Sequence, residues 1–383
     1  MAAITPIRMP KWGLSMQEGT VVGWNKAEGA HVSEGDELVD IETAKITNVA
    51  ESPGAGVLRR IVAREGETRP VGALLGIVAD AETSDAELDA FAAAFAERFA
   101  AEAQAQVAEA LALSTVDAAG RSIRVGRAGQ AEGTPVVLVH GWSGDLNSWL
   151  FNIEALAVRL PVIALDLPGH GGSSKDVRDG STETLAETVG AALDALGVGQ
   201  AHLIGHSLGA AVLVRLAARR PDLARTLTLI APAHVPGGVV SAAFLDGVIE
   251  QSRARALKPV LEQLVADPSA VTREMVEDML KFKRLDGVEA ALAATRDRLL
   301  SAEEAAAVQA DMAKLTDVLV IASRDDRIVG APDEGRLPPG WRVRWIENAG
   351  HLPHLERAGE VNSVLIERVC GTAPDQPGGT APG

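Results

Sequence analysis

An internal repeat near the start of the chain limits what its first part can fold into. A shift of 37 positions lays Glu28, Gly29, Gly35, Leu38 and Ile41 over Glu65, Gly66, Gly72, Leu75 and Val78. The same shift carries Gly19, Val21 and Trp24 onto Gly56, Leu58 and Ile61. A unit of short strands broken by glycine turns cannot bury its apolar face alone, so two copies are expected to close on one another as one small all-β domain. Alternation of Leu38, Asp40 and Glu42 with Val39, Ile41 and Thr43 predicts a half-buried strand over residues 37–42. A return strand over 46–51 ends at Pro53, Gly54 and Gly56. Lys45 opens the second copy, and a pseudo-two-fold pair would hold it on the exposed turn between those strands, an amine offered as an attachment point.

The remaining length and the charge set further bounds. With 383 residues, two or three domains and a sizeable core are expected. Lys and Arg number 36 against 52 Asp and Glu, a net charge of -16 that disfavours nucleic acid and anionic membrane as partners. Met1 to Pro10 holds no basic, long apolar run of the secretory kind, and nothing approaches the roughly 18 apolar residues of a spanning helix. The single Cys370 cannot form an internal disulfide. A cytoplasmic protein is expected.

Residues 81–113 read as an Ala- and Glu-rich helical linker, with Phe91, Phe95 and Phe99 on one face at spacing four. That stripe suits a docking helix for a partner, a helix lying on the neighbouring domain, or a semi-rigid spacer. Residues 371–383, rich in Pro and Gly, read as a disordered tail. Between them, apolar runs at 135–139, 162–165, 201–204, 226–230, 318–321 and 343–346 alternate with helical stretches, the pattern of a mostly parallel sheet covered on both faces. No strand is expected between Pro232 and Lys314, so a helical cap of about 233–313 is inserted over the sheet.

Chemistry enters at Gly205-His206-Ser207-Leu208-Gly209, after one of those strands and before a helical run. A sharp strand-to-helix turn needs small residues two before and two after the serine, which holds Ser207 at its apex. Ser323-Arg324-Asp325-Asp326-Arg327-Ile328-Val329 then offers a carboxylate after a strand, and Asn348-Ala349-Gly350-His351 an imidazole after the next. The order Ser, Asp, His suits a doubly wound hydrolase, with His351 moving the Ser207 proton and the acid fixing its tautomer. His140-Gly141-Trp142 adds a turn whose Trp142 N–H can meet that of Leu208 over a substrate oxygen, an oxyanion hole. His170, His202, His206, His234 and His354 lack metal-ligand spacing and are expected to pack. Asp166 is expected to tie its own loop. The cap cluster Lys281, Lys283 and Arg284 reads as a solvated face, with a phosphate-bearing cofactor as the alternative.

The string Asp40 to Gly56, with Met9-Pro10-Lys11-Trp12-Gly13, resembles the lipoyl domains of 2-oxo acid and acetoin dehydrogenase complexes over residues 4–80. Biotin carriers present Met-Lys-Met at the tip, so Ala44-Lys45-Ile46 favours lipoate. Together with Leu165-Asp166-Leu167-Pro168-Gly169-His170-Gly171, the serine motif and its partners resemble the α/β-hydrolase superfamily from about Gly120 to Cys370, where Asp326 precedes Arg-Ile-Val as the family's acid does. The expected architecture is therefore multidomain: a lipoyl domain at 1–80, then an α/β-hydrolase domain with a helical cap at 114–370.

That combination is similar to the dihydrolipoyllysine acetyltransferase components of acetoin dehydrogenase complexes. The resemblance implies lipoate amide-linked to Lys45 by a lipoate ligase or lipoyl transferase, and coenzyme A as acetyl acceptor. It also implies two partner enzymes, a thiamine-diphosphate-dependent acetoin dehydrogenase component and a flavin dihydrolipoyl dehydrogenase. The His-x-x-x-Asp-Gly site of better-known acyltransferase cores is missing at all three Asp-Gly pairs, Asp179, Asp246 and Asp286. Transfer would have to use Ser207, Asp326 and His351. A serine hydrolase, an esterase or carbon–carbon hydrolase tethered to a lipoyl domain, is the alternative.

Overall fold

The computed structural model describes residues 4–10, 18–43, 47–108 and 111–371. The chain divides into two compact units, Met1–Ala108 and Glu109–Gly383.

In the first unit the repeat becomes two four-stranded sheets. The strands are β1 (Thr5–Arg8), β2 (Glu18–Trp24), β3 (His31–Val32), β4 (Glu37–Glu42), β5 (Thr47–Glu51), β6 (Gly56–Ile61), β7 (Thr68–Pro70) and β8 (Leu74–Ala79). Their orders are β1-β8-β6-β3 and β5-β4-β2-β7. The 37-residue shift converts β2, β3 and β4 into β6, β7 and β8, and it converts their pairing too. Val21 opposite Ile41 becomes Leu58 opposite Val78, and the irregularity between Val21 and Gly23 recurs between Leu58 and Arg60. Gly29 and Gly66 both sit at positive φ, +90° and +82°, where a side chain would be strained. The repeating apolar positions form the core: Val21, Leu38, Ile41, Leu58, Leu75 and Val78 are at most 1% exposed. Each such side chain stabilises the fold by roughly 1.5–3 kcal/mol.

Helix α1 (Asp85–Ala108) also belongs to this unit. Ser84 and Glu87 cap it reciprocally: Ser84 N donates to Glu87 Oε2 at 2.9 Å, and Glu87 N to Ser84 Oγ at 3.4 Å. Leu88 and Phe95 are buried against Leu74, Ile77 and Ala79, with Phe91 and Phe99 packed beside them. The Arg8 guanidinium lies over the Phe95 ring at 5.0 Å. The phenylalanine stripe is thus covered by the chain's own sheet.

The second unit is built on an eight-stranded sheet. Its strands are β9 (Ala112–Ala118), β10 (Arg121–Ala128), β11 (Val136–Val139), β12 (Val162–Leu165), β13 (Ala201–His206), β14 (Ala224–Ile230), β15 (Val318–Ala322) and β16 (Arg342–Trp345). The order is β16-β15-β14-β13-β11-β12-β10-β9, parallel from β16 to β12, with β10 and β9 antiparallel. The pair β9 and β10 corrects the sequence expectation, because Ala112 and Leu113 lie in a strand and not in a helical linker. Most of β9 is exposed, so no alternation marks it.

Side chains alternate across the sheet with period two. Val136, Leu138, Val162 and Ala164 pack with Ile153 and Leu156 of α2 (Leu150–Ala157) and Val361 and Leu365 of a C-terminal helix. Val137, Val139, Ile163 and Leu165 face the opposite layer, α3 (Thr182–Ala195) and α4 (Leu208–Arg219). Between β14 and β15 the chain inserts five helices as a cap: α5 (Ala242–Glu250), α6 (Ala254–Leu261), α7 (Arg273–Lys283), α8 (Val288–Leu299) and α9 (Ala302–Met312). The short α10 (Pro353–Glu356) and the C-terminal α11 (Ala358–Cys370) finish the fold. The chain leaves β11 toward β12 on one side and β13 returns on the other, and a crevice opens at the carboxyl ends of strands where the order reverses in this way.

Candidate active site

Ser207 sits between the end of β13 and the start of α4, at φ 51° and ψ -113°. A non-glycine residue there stores on the order of 1–3 kcal/mol of strain. The surroundings impose it: Ser207 N donates to Ile230 O at 2.9 Å, and Ala233 N donates to Ser207 O at 3.2 Å. The flanking glycines have no alternative. A Cβ on Gly205 would meet Gly209 O and Ala210 N at 2.7 Å, and one on Gly209 would lie 2.3 Å from Val139 O and 2.4 Å from His140 O.

Asp326 follows β15 and His351 follows β16, each brought to the same edge of the sheet by its strand. His351 Nδ1 lies 2.9 Å from Asp326 Oδ2, with Asp326 8% and His351 3% exposed. The other carboxylate oxygen, Oδ1, accepts from Ile328 N at 2.8 Å and Val329 N at 3.0 Å. Burial pushes the Asp326 carboxyl up, but His351 beside it and these hydrogen bonds hold it below the usual carboxylate value. Asp325, its neighbour in sequence, is exposed.

His206 joins the two ends of the site. It immediately precedes Ser207, its Nε2–H donates to His351 O at 2.9 Å, and its ring lies 4.7 Å from that of His351. His354 stacks behind it at 4.5 Å and against Trp149 at 4.7 Å. Burial, reinforced by His354 and His351, pushes the His206 imidazole well below its ordinary pKa, and burial takes His354 down to about 3. A neutral His206 ring therefore lies against His351, with a neutral His354 behind it. The sequence assigned His206 and His354 to packing, and they do pack, but around His351.

His140-Gly141-Trp142 at the end of β11 lies against the serine turn, since a Cβ on Gly141 would stand 3.0 Å from Ser207 Cβ. Leu167 N donates to His140 Nε2 at 3.0 Å, so His140 Nδ1 carries the hydrogen and donates to Gly141 O at 2.7 Å. Gly144 N donates to the same oxygen at 3.1 Å. Gly141 O and Trp142 N–H belong to one peptide plane and point opposite ways, so fixing the oxygen aims the N–H. Leu208 opens α4, where backbone N–H groups have no intrahelical acceptor and the helix dipole favours negative charge. His140 had no assigned role in the sequence reading; the hydrogen bond from the following β-loop is a tertiary contact without a local signal.

The other residues singled out in the sequence fall away from this cluster. Asp166 ties its loop, accepting from Leu146 N at 2.8 Å and Gly172 N at 2.7 Å. Lys281 pairs with Asp278, and Lys283 donates to Ile249 O and Gln251 O at 2.8 Å each, which commits two of the three cap cations. Among the described residues no cluster of His, Cys, Asp or Glu could hold a metal ion, and no helix is long and apolar enough to cross a membrane. Lys45 lies outside the described residues. The strands on either side of it are described, and their last pair is Glu42 opposite Thr47.

Comparison with known proteins agrees with this division. The alpha/beta hydrolase fold family matches residues 134–358, and the biotin-requiring enzyme family, Biotin_lipoyl, matches residues 5–78. The chain is thus a lipoyl-type domain fused to an α/β-hydrolase domain. A serine hydrolase from the polyaromatic-hydrocarbon-degrading bacterium Cycloclasticus zankles superposes with a TM-score of 0.62 at 18% identity, over 69% of this chain and 100% of its own, which shows the shared fold. Along almost the full length, the chain is 44% identical over 369 residues to the dihydrolipoyllysine-residue acetyltransferase component of the acetoin cleaving system of Pseudomonas putida, covering 96% of this chain and 98% of that one. The corresponding component from Cupriavidus necator is 39% identical, again over 96% and 98%. The chain belongs to this family of acetoin-cleaving acetyltransferase components.

Proposed function

We propose that this chain moves an acetyl group from a thioester on a lipoyl arm at Lys45 to the thiol of coenzyme A, with Ser207 as nucleophile, His351 as proton carrier and Asp326 as its anchor. The observation that carries the reading is the buried 2.9 Å contact of Asp326 with His351, beside a strained serine whose neighbour His206 is bonded to His351. The primary amine of Lys45, in the four-residue connection after Glu42, suits an amide-linked lipoyl group, which supplies a thiol able to carry acetyl.

Ser207 Oγ attacks the thioester carbonyl as His351 Nε2 takes its proton, and the carbonyl oxygen becomes an oxyanion facing the Trp142 and Leu208 N–H groups. Removing one donor of this type typically costs about 10²–10³ in rate. As the carbon–sulfur bond breaks, His351 returns the proton to the departing sulfur, and acetyl remains on Ser207. His351 then deprotonates the coenzyme A thiol, whose sulfur attacks the ester, and the proton goes back to Ser207 Oγ. Asp326 holds Nδ1–H throughout and stabilises each imidazolium.

In this reading a thiamine-diphosphate-dependent acetoin dehydrogenase component loads the arm, a flavin dihydrolipoyl dehydrogenase reoxidises it, and a lipoate ligase or lipoyl transferase attaches it. The test is acetyl-CoA production from acetoin by the reconstituted system, followed by intact mass of this chain. Ser207→Ala should lower production on the order of a thousandfold or more, and the wild type should carry lipoyl on Lys45. Unchanged production would remove Ser207 from the reaction, and release of acetate in place of acetyl-CoA would make the chain a hydrolase.

A further inference from the structure

Trp142 has its backbone in the proposed oxyanion turn, but its side chain is held by the cap. The indole Nε1–H donates to Thr295 Oγ1 at 2.9 Å and to Leu292 O at 3.2 Å, both in α8. Phe244 of α5 meets the indole edge-on, with ring centroids 6.3 Å apart. Thr295 is fully buried, and its hydroxyl sits 2.9 Å from Ala291 O and 3.1 Å from Leu292 O. The hydroxyl proton is therefore engaged by carbonyls of its own helix, which leaves the oxygen lone pairs for the indole.

Helix α8 is in turn fixed to the sheet side. Gly180 backs onto the peptide joining Ala294 to Thr295, where an added Cβ would lie 2.9–3.0 Å from the backbone, and Arg298 Nε donates to Asp179 O at 3.1 Å. The turn is thus gripped twice. His140 and Gly144 hold the carbonyl side of the Gly141–Trp142 peptide, and the cap holds the side chain that follows it.

We infer that Thr295 is a positioning residue for the reaction, acting through the Trp142 indole to keep the Trp142 N–H aimed at the developing oxyanion. The inference rests on the acyl-serine reading above. An interaction of this kind acts on the transition state and leaves substrate binding alone. Loss of the anchor loosens the donor without deleting it, so the penalty should fall short of full donor removal, at about tenfold in kcat.

The experiment uses the full chain with p-nitrophenyl acetate, and Ser207→Ala sets the background. Thr295→Val keeps the volume and removes the acceptor; it should lower kcat about tenfold with KM unchanged, and Thr295→Ser should restore kcat to within about twofold. Binding of a methylboronic acid, which places a charged oxygen in the same hole, should weaken by the same factor as kcat. If Thr295→Val fails to fold, Trp142→Phe, which keeps an aromatic ring and the backbone donor but removes the indole N–H, carries the test with a loss at least as large. A Thr295→Val enzyme within twofold of wild type in kcat and in boronate affinity overturns the inference, as does a loss that Thr295→Ser does not restore. Turnover that persists in Ser207→Ala overturns the acyl-serine reading itself, and the inference with it.

Discussion

His170 and His354 are fully buried imidazoles, each taken by burial from about 6.5 down to about 3. Neither ring nitrogen of His354 has a hydrogen-bond partner. The folded protein keeps these rings neutral, while the unfolded chain protonates them below pH 6.5. The unfolded state then binds more protons, so stability is complete above pH 6.5 and falls as pH drops toward 3. Between pH 7 and pH 5 each ring should cost about 2 kcal/mol. His354→Phe preserves the stack on Trp149 and should remove about 2 kcal/mol of that loss, read as urea midpoints of the second unit at the two pH values; an unchanged pH dependence would refute it. At the same scale, the sequence favoured Asp326 over Asp325 only through its resemblance, Asp326 preceding Arg-Ile-Val as the family's acid does; the N–H groups of Ile328 and Val329 that hold its Oδ1 are seen in the structure alone. The partnership of His206 with His351 was not legible, since it spans 145 positions in sequence.

Helix α1 is the element whose role depends most on what covers it. Its sequence has a capping signature, Ser84 to Glu87, and a phenylalanine stripe, but a stripe does not name its partner. The structure supplies the partner in Leu74, Ile77 and Ala79. Phe95, 5% exposed, is the largest buried side chain that the helix puts into that cluster, and Phe95→Ala should destabilise the first unit by roughly 3–5 kcal/mol. Calorimetry of the full chain should show the transition of that unit moving to lower temperature while that of the second unit stays; a fixed first transition would mean that the helix adds nothing to the sheet. Strands with both faces buried were read correctly from their apolar runs. The pair β9 and β10 was missed because β9 is an exposed edge. Local signals for the pair are the alternation of buried Ile123 and Val125 with the exposed or half-buried residues before them in β10 and the tight turn at Ala119 and Gly120, both at positive φ, which is the conformation of two-residue hairpin turns.

For the whole molecule, the proposed function puts separable chemistry on the two units. Lys45→Arg should abolish acetyl-CoA formation from acetoin in the reconstituted system and leave Ser207-dependent ester turnover of the same preparation within about twofold of wild type. Ser207→Ala should remove both activities without altering lipoyl attachment, and a Lys45→Arg protein that still supports acetoin-dependent acetyl-CoA formation would sink the carrier assignment. The repeat made the first unit legible as a closed pair of sheets, and the strand-motif order made the second legible as a doubly wound fold. The grip of the cap on Trp142 had no signature in either.

The five cap helices leave the sheet after β14 and return at β15, and these two strands are hydrogen-bonded neighbours. An insertion with adjoining ends is a cassette, joined to the sheet through one pair of neighbouring strands. The indole of Trp142 sets a condition on any graft there. A replacement lid must bring its own buried acceptor for that N–H, or the recipient will keep its serine, histidine and aspartate in place and still work slowly.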